Sequence, residues 1–336
     1  MKKIVLKLSA LTLIISILFS AGIFSSSAAT LRSGDIDGDG KITAGDARNI
    51  LRLSVGLVKC IPVIEQYADT NGDENVSAAD ARLALRISVN LDSADSLASF
   101  SPADNTYFYP ETNTITLTEG DRSSVAEILT RKDMKVTRTS TNPSAVTVSE
   151  NGEITAKSKG YSCVIIECEG YKFYFDVNVR TPLQNKIDSL RSKYPAGYYW
   201  NNHEPSKKYP AVTETPCADH REGKYAYCKG QCAGFAELMF REVFGKNADR
   251  KYGVTWDTLK IGDYIRFDRN HSVFVTDVVR KGDIVGYSRY SEKNIIADEN
   301  YIVVVHCNWH WNCDIVWDGI FYENYTISSR YSYTAY

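Results

Sequence analysis

The sequence has no excess of positive charge. Lys and Arg total 39 against 41 Asp and Glu, a formal net charge of −2. That excludes the basic face a nucleic-acid binder needs. It has no second long apolar run after the first, over 4–19, so no membrane span is expected once that leader is removed. Histidine and tryptophan are missing from the first 199 residues, and all five of each lie beyond that point. No acidic pair stands out in the C-terminal stretch, which argues against a glycosidase. Cysteine is not scarce: there are eight, which in an exported chain raises the question of disulfides.

What is present divides into segments. The 336 residues suggest roughly two to three domains. Residues 1–29 read as a secretory signal. Met1, Lys2 and Lys3 are the charged start, an apolar core follows, and Ser27-Ala28-Ala29 offers small residues for cleavage. The expected location is therefore secreted and extracellular.

Residues 33–95 contain a repeat with a period of 34 residues. The first copy runs from Asp35 through Asp37, Asp39, Lys41 and Thr43 to Asp46. The second runs from Asp69 through Asn71, Asp73, Asn75 and Ser77 to Asp80. Oxygen side chains fall at loop positions 1, 3, 5, 9 and 12, with a backbone carbonyl expected from position 7, Lys41 or Asn75. A hard cation wants roughly six to eight oxygens around a tight turn, so two structural Ca2+ ions are expected. Glu74 stands where the first loop has Gly40, which should strain the second turn. A similar helix follows each loop.

This stretch resembles a type I dockerin, the module that plugs an enzyme into a cohesin on a cellulosome scaffold. The resemblance implies a cohesin partner, met by loop positions 10 and 11: Ala44-Gly45 and Ala78-Ala79. Both pairs are small, so either copy is expected to be able to dock. Arg48, Arg52, Arg82 and Arg86 are candidate flanking residues.

Residues 100–181 change to short alternating runs, so a small antiparallel β-sandwich is expected. Val146-Thr147-Val148, Asn151-Gly152 and Glu153-Ile154-Thr155-Ala156 form a hairpin signal. The run from Ser140 to Gly160 resembles a group 2 bacterial Ig-like domain, expected to act as a spacer or as a weak carbohydrate- or surface-binding module.

Residues 183–336 read as α+β: a helix over about 231–244, then strands over 262–268, 272–280, 284–290, 300–307, 314–322 and 328–334. Gln231 and Cys232 open the helix, His271 opens an apolar strand, and Asn308 follows another. A helix N-terminus favours the thiolate, which is the attacking form. A facing histidine can move the proton, an asparagine can orient the imidazole, and the Gln231 amide can stabilise an oxyanion. Tyr198, Trp200, Trp309 and Trp311 are candidate groove residues. Cys217 with Cys228, and Cys307 with Cys313, are plausible disulfides. A competing reading assigns Cys228, Cys232, His306, His310 and Cys313 to a metal site.

Gln231-Cys232, Gly262-Asp263, His271-Ser272-Val273 and His306-Cys307-Asn308-Trp309 together resemble the CHAP branch of the papain-like cysteine hydrolases. The resemblance implies a cysteine peptidase or amidase acting on peptide or peptidoglycan, with Cys232, His271, Asn308 and Gln231 as its site. His306 stands where that family has glutamate. The alternative is a non-catalytic cell-wall or carbohydrate binder that kept the fold. The whole chain is thus expected to be multidomain: a small all-α dockerin, an Ig-like β-sandwich and an α+β C-terminal domain.

Overall fold

The computed structural model describes residues 31–100, 113–132, 134–201, 204–208, 232–268, 271–308 and 313–335. The expected signal segment, Cys217, Cys228, Gln231, Trp309, His310 and Trp311 lie outside these residues. The chain forms two compact units, each described by itself. One contains residues up to Tyr109 together with Ala126–Val136; the other contains Pro110–Val125 and Thr137–Tyr336. The 126–136 stretch, which the sequence assigns to the sandwich, groups with the first unit.

The first unit is built on three helices: α1 (Ala44–Ser54), α2 (Pro62–Ala68) and α3 (Ala78–Ser88). α1 and α3 start at matching capping boxes, with Thr43 and Ser77 as caps and Asp46 and Asp80 reaching back to the cap N–H. They pack on each other. Ile50, Ile61, Ile64 and Ala84 are fully buried in this unit. β1 (Leu31–Arg32) pairs antiparallel with β2 (Ser99–Phe100), which brings the two ends of the module together.

In the second unit, β3 (Asn113–Thr118), β5 (Val136–Ser140), β8 (Gly160–Cys168) and β9 (Tyr171–Arg180) form one sheet in the order β3-β9-β8-β5. β4 (Arg122–Ser124), β6 (Val146–Val148) and β7 (Glu153–Ala156) form another. The expected β6–β7 hairpin is present, with Gly152 in the left-handed region at φ 81°. One pair departs from the antiparallel expectation: β3 runs parallel to β9.

α4 (Pro182–Asp188) leads into the C-terminal part, where β10 (Tyr199–Trp200) and β11 (Pro205–Ser206) pair, and α5 (Cys232–Phe244) follows. β12 (Arg250–Tyr252), β13 (Tyr264–Phe267), β14 (His271–Val279), β17 (Tyr301–Cys307), β18 (Ile315–Tyr322) and β19 (Tyr333–Ala335) make a six-stranded sheet ordered β12-β19-β13-β14-β17-β18. α5 stops at Gly245, whose φ of 92° suits only glycine. A hairpin, β15 (Ile284–Ser288) with β16 (Lys293–Ile296), leaves this sheet and packs on β8 of the sandwich. Lys159 pairs with Asp277 at 2.6 Å, Lys172 with Glu292 at 2.5 Å and Arg289 with Asp176 at 3.1 Å. The sandwich therefore braces the C-terminal sheet, whereas the sequence suggested a spacer.

No disulfide joins Cys307 to Cys313, contrary to expectation. Cys307 is in the core under α5, while the Cys313 sulfur reaches the Asn308 Oδ1 at 3.6 Å. Among the described residues no helix is long and apolar enough to cross a membrane.

The turn into β13 holds a buried acid. Asp263 is fully buried and accepts the Lys260 N–H at 2.9 Å. Burial pushes its carboxyl from 3.8 up to about 6, with hydrogen bonds from Thr334 and Lys260 opposing. The raised value means that folding favours the protonated acid. Stability is highest below the unfolded value and is lost as pH rises from about 4 to about 6. Asp263→Asn should gain about 2 kcal/mol at neutral pH and almost nothing near pH 4, measured by urea denaturation at the two pH values.

Candidate functional site

The first repeat loop gathers acid. Ligand oxygens of Asp35, Asp37 and Asp39 all lie within 4.8 Å of one another. Gly38 at φ 75° and Gly40 at φ 85° let the backbone fold tightly around them. Asp35 fixes the turn by accepting the Gly38 N–H at 2.8 Å and the Gly40 N–H at 3.1 Å. The Asp37 carboxyl is raised above its ordinary value, first by burial and then by the charges of Asp46, Asp39 and Asp35, against a backbone hydrogen bond from Asp39. Three converging carboxylates that repel one another are a donor set that fits a hard divalent cation. Lys41 donates its own N–H to Asp39 at 2.8 Å, part of the same tight turn.

The last acid of each loop does something else. Asp46 is fully buried. Its Oδ1 accepts N–H groups from Ile36 at 3.0 Å and Asp37 at 3.4 Å, and its Oδ2 accepts the Thr43 N–H and hydroxyl, both at 2.8 Å. Asp80 repeats this with Thr70 and Asn71 on one oxygen and Ser77 on the other. The sequence offered both as cation ligands; here each ties the start of its loop to the head of its helix.

The second loop has one carboxylate fewer at these three ligand positions, because Asn71 stands where the first has Asp37. The Asn71 amide donates to Asp73 at 2.9 Å, the Asp73 N–H donates to Asp69 at 3.2 Å, and the Asn75 N–H donates to Asp73 at 2.9 Å. Glu74 sits at φ 67°, a left-handed conformation that Gly40 adopts freely in the first loop.

Beyond the loops, the two helices present matching faces. Ala44, Gly45, Ala78 and Ala79 are all exposed. The same face continues through Arg48, Leu51 and Val55 on the first copy and Arg82, Leu85 and Val89 on the second, at helical spacing. Leu51 is 45% exposed, Val55 61% and Leu57 67%; their counterparts Leu85, Val89 and Leu91 are 46%, 55% and 66% exposed. Paired apolar exposure of this kind marks an interaction surface. The apolar members were missed in the sequence. Laying the period of 34 residues over leucines outside the buried stripe would have found them.

The C-terminal candidates are divided between two faces of the sheet. Cys232 is the first residue of α5 and is buried. It continues the stripe of Phe235, Ala236, Met239 and Phe240, which packs on Tyr264, Phe274, Val305 and Cys307. Burial drives the Cys307 thiol well above its ordinary value. His271 points the other way. Phe274 faces α5, and side chains alternate along β14, so His271 shares the opposite face with Val273 and Val275. Its ring lies 5.0 Å from the His306 ring, edge to face, and 6.0 Å from Phe321, a member of that second core. On the α5 face it is Ser272 that receives hydrogen bonds, from the Tyr264 hydroxyl at 3.0 Å and Arg266 at 2.9 Å. Burial lowers the His306 pKa to about 4, so this ring is neutral at ordinary pH. The His306 ring shares the second core with Phe321, 5.7 Å away, while Cys228 and His310 of the metal reading lie outside the described residues. Asn308 lies just past β17 at φ 57°, beside Cys313. Trp200 belongs to the core with Tyr194 and Phe235, and the half-buried Tyr198 packs against it.

Replacing Glu74 by glycine removes left-handed strain of about 1 kcal/mol from the second loop. Calcium titration by calorimetry should show that loop binding roughly fivefold more tightly, with the first loop unchanged.

The family model described as Dockerin type I domain matches residues 33–86. No curated protein matches. Among solved structures, a bacterial Ig-like domain containing GH10 xylanase from termite gut is 15% identical over 26% of this chain and 24% of its own, with a TM-score of 0.17. The chain thus spans about a quarter of that xylanase. The S-layer protein SbsC, domains 5–6, is 10% identical over 64% of this chain and 92% of its own, also with a TM-score of 0.17. The loops, the capping boxes and the matched segment coincide: residues 33–86 carry a dockerin type I domain.

Proposed function

We propose that this protein is an exported component of a cellulosome, held on its scaffold by calcium-dependent docking of residues 33–95 to a cohesin. The observation that carries the reading is the pair of acidic loops, each tied by a buried aspartate to a helix with an exposed small and apolar face. Two calcium ions hold the loops: Asp35, Asp37 and Asp39 in the first, Asp69, Asn71 and Asp73 in the second. The cohesin meets Ala44, Gly45, Leu51 and Val55, or their counterparts Ala78, Ala79, Leu85 and Val89. Because the faces match, loss of one is tolerated. Against a panel of purified cohesins, the full chain should bind at least one in calcium and none in chelator. Leu51→Asp or Leu85→Asp alone should change affinity by less than about fivefold, and the two together by roughly a hundredfold or more. Binding that survives chelation, or that ignores the double substitution, contradicts the reading.

The cargo is the C-terminal part. The Gln231-Cys232 pair at a helix start supports a thiol-dependent peptidase or amidase acting on peptide or peptidoglycan. The facing of His271 and His306 away from α5 favours a second reading, a wall-binding domain without catalysis. Incubating the full chain and its Cys232→Ala variant with peptidoglycan and with casein separates them. Amines released by the native chain and not by the variant support the hydrolase; none from either supports the binder.

A further inference from the structure

Residues 126–132 belong by sequence to the β-rich middle, yet they lie on the first repeat. The Lys59 N–H donates to the Glu127 carbonyl at 2.9 Å and the Leu129 N–H to the Lys59 carbonyl at 2.8 Å, a short backbone ladder. Ile128 and Leu129 are buried. Glu127 pairs with Arg52 at 2.6 Å. In the second repeat the matching Arg86 finds Asp92 at 2.6 Å. The position corresponding to Asp92 in the first repeat is Val58, which is buried, so Glu127 supplies the acid that the first repeat lacks.

Arg131 then reaches the calcium loop. Its Nη1 donates to the Asp35 carbonyl and its Nη2 lies 3.7 Å from the Asp35 carboxylate. The guanidinium stacks on Tyr67, 3.8 Å from the ring centre, and the side chain is only 15% exposed. The Lys132 N–H donates to the Asp37 carbonyl at 2.8 Å. A side chain at Gly38 would meet the guanidinium at 3.0 Å. Among the described residues no such cation stands at the second loop: a side chain at the matching Gly72 would meet the Ala98 methyl.

We infer that residues 126–132 are a resident strap, and that Arg131 is a built-in counter-cation which keeps the first loop folded without calcium and weakens the ion's hold there. The inference rests on the calcium reading proposed above. An anchored guanidinium relieves the repulsion of Asp35 with its neighbours while the ion is absent. Once the ion arrives, the same charge opposes it. The two loops thus differ: the second is ordered by calcium, the first is ordered in advance.

The test uses the full chain and its Arg131→Gln and Arg131→Lys variants. In chelator, hydrogen exchange of 36–43 should be roughly tenfold slower than that of 70–77 in the native chain. Arg131→Gln should abolish that gap and tighten calcium at the first loop roughly fivefold in calorimetry. Arg131→Lys, which keeps the charge, should keep most of the gap. Equal exchange of the two loops in the native chain, or a gap that survives Arg131→Gln, overturns the strap. Calcium binding at the second loop is the control in every protein. If neither loop of the native chain takes calcium, the calcium reading falls, and the strap with it. If the second binds while the first ignores Arg131, the strap alone falls.

Discussion

One buried carboxylate per repeat sets the geometry of the docking unit. Asp46 accepts amides from the start of its loop and from the cap of its helix, and Asp80 does the same. A carboxylate that accepts several N–H groups resists being moved. The loop therefore cannot open without uncapping the helix that follows. This couples the cation-binding residues to the direction of α1 and α3, and so to the exposed Leu51, Val55, Leu85 and Val89 that the helices carry.

A different constraint governs the C-terminal sheet. Side chains alternate across a strand, so the face of any one residue fixes all the others. Phe274 and Val305 fill the space beneath α5, and Val273, Val275 and Val304 fill the core on the far side. His271 and His306 follow the second set. A one-residue slip along β14 would send Val273 and Val275 into the α5 core in place of Phe274, and the packing of both faces opposes it.

The legible parts of the sequence were those with a local period. The repeat showed because two loops and two helices recur at one spacing, and the β6–β7 hairpin showed because Asn151-Gly152 sits between alternating strands. The strand order of the sheet, the parallel pairing of β3 with β9 and the packing of the β15–β16 hairpin on β8 depend on contacts between residues far apart, which no local pattern encodes. The same holds for Arg131 against Asp35, separated by 96 positions. Order along a chain does not say which face of a pleated strand a residue occupies, so the Cys–His order alone fixes no geometry. The last acid of each loop holds a position whose spacing fits a ligand, and its burial adds a bracing role that spacing does not show.

The central claim is that the repeat unit, through the outer faces of α1 and α3, is what holds this protein to its partner. Hydroxyl-radical footprinting of the full chain, alone and saturated with a bound cohesin in calcium, tests it directly. The account predicts protection of Leu51 and Val55, of Leu85 and Val89, or of a mixture of the two sets, with the C-terminal sheet unchanged. Protection confined to residues beyond 137, with all four of those side chains still oxidised as in the free chain, would contradict it.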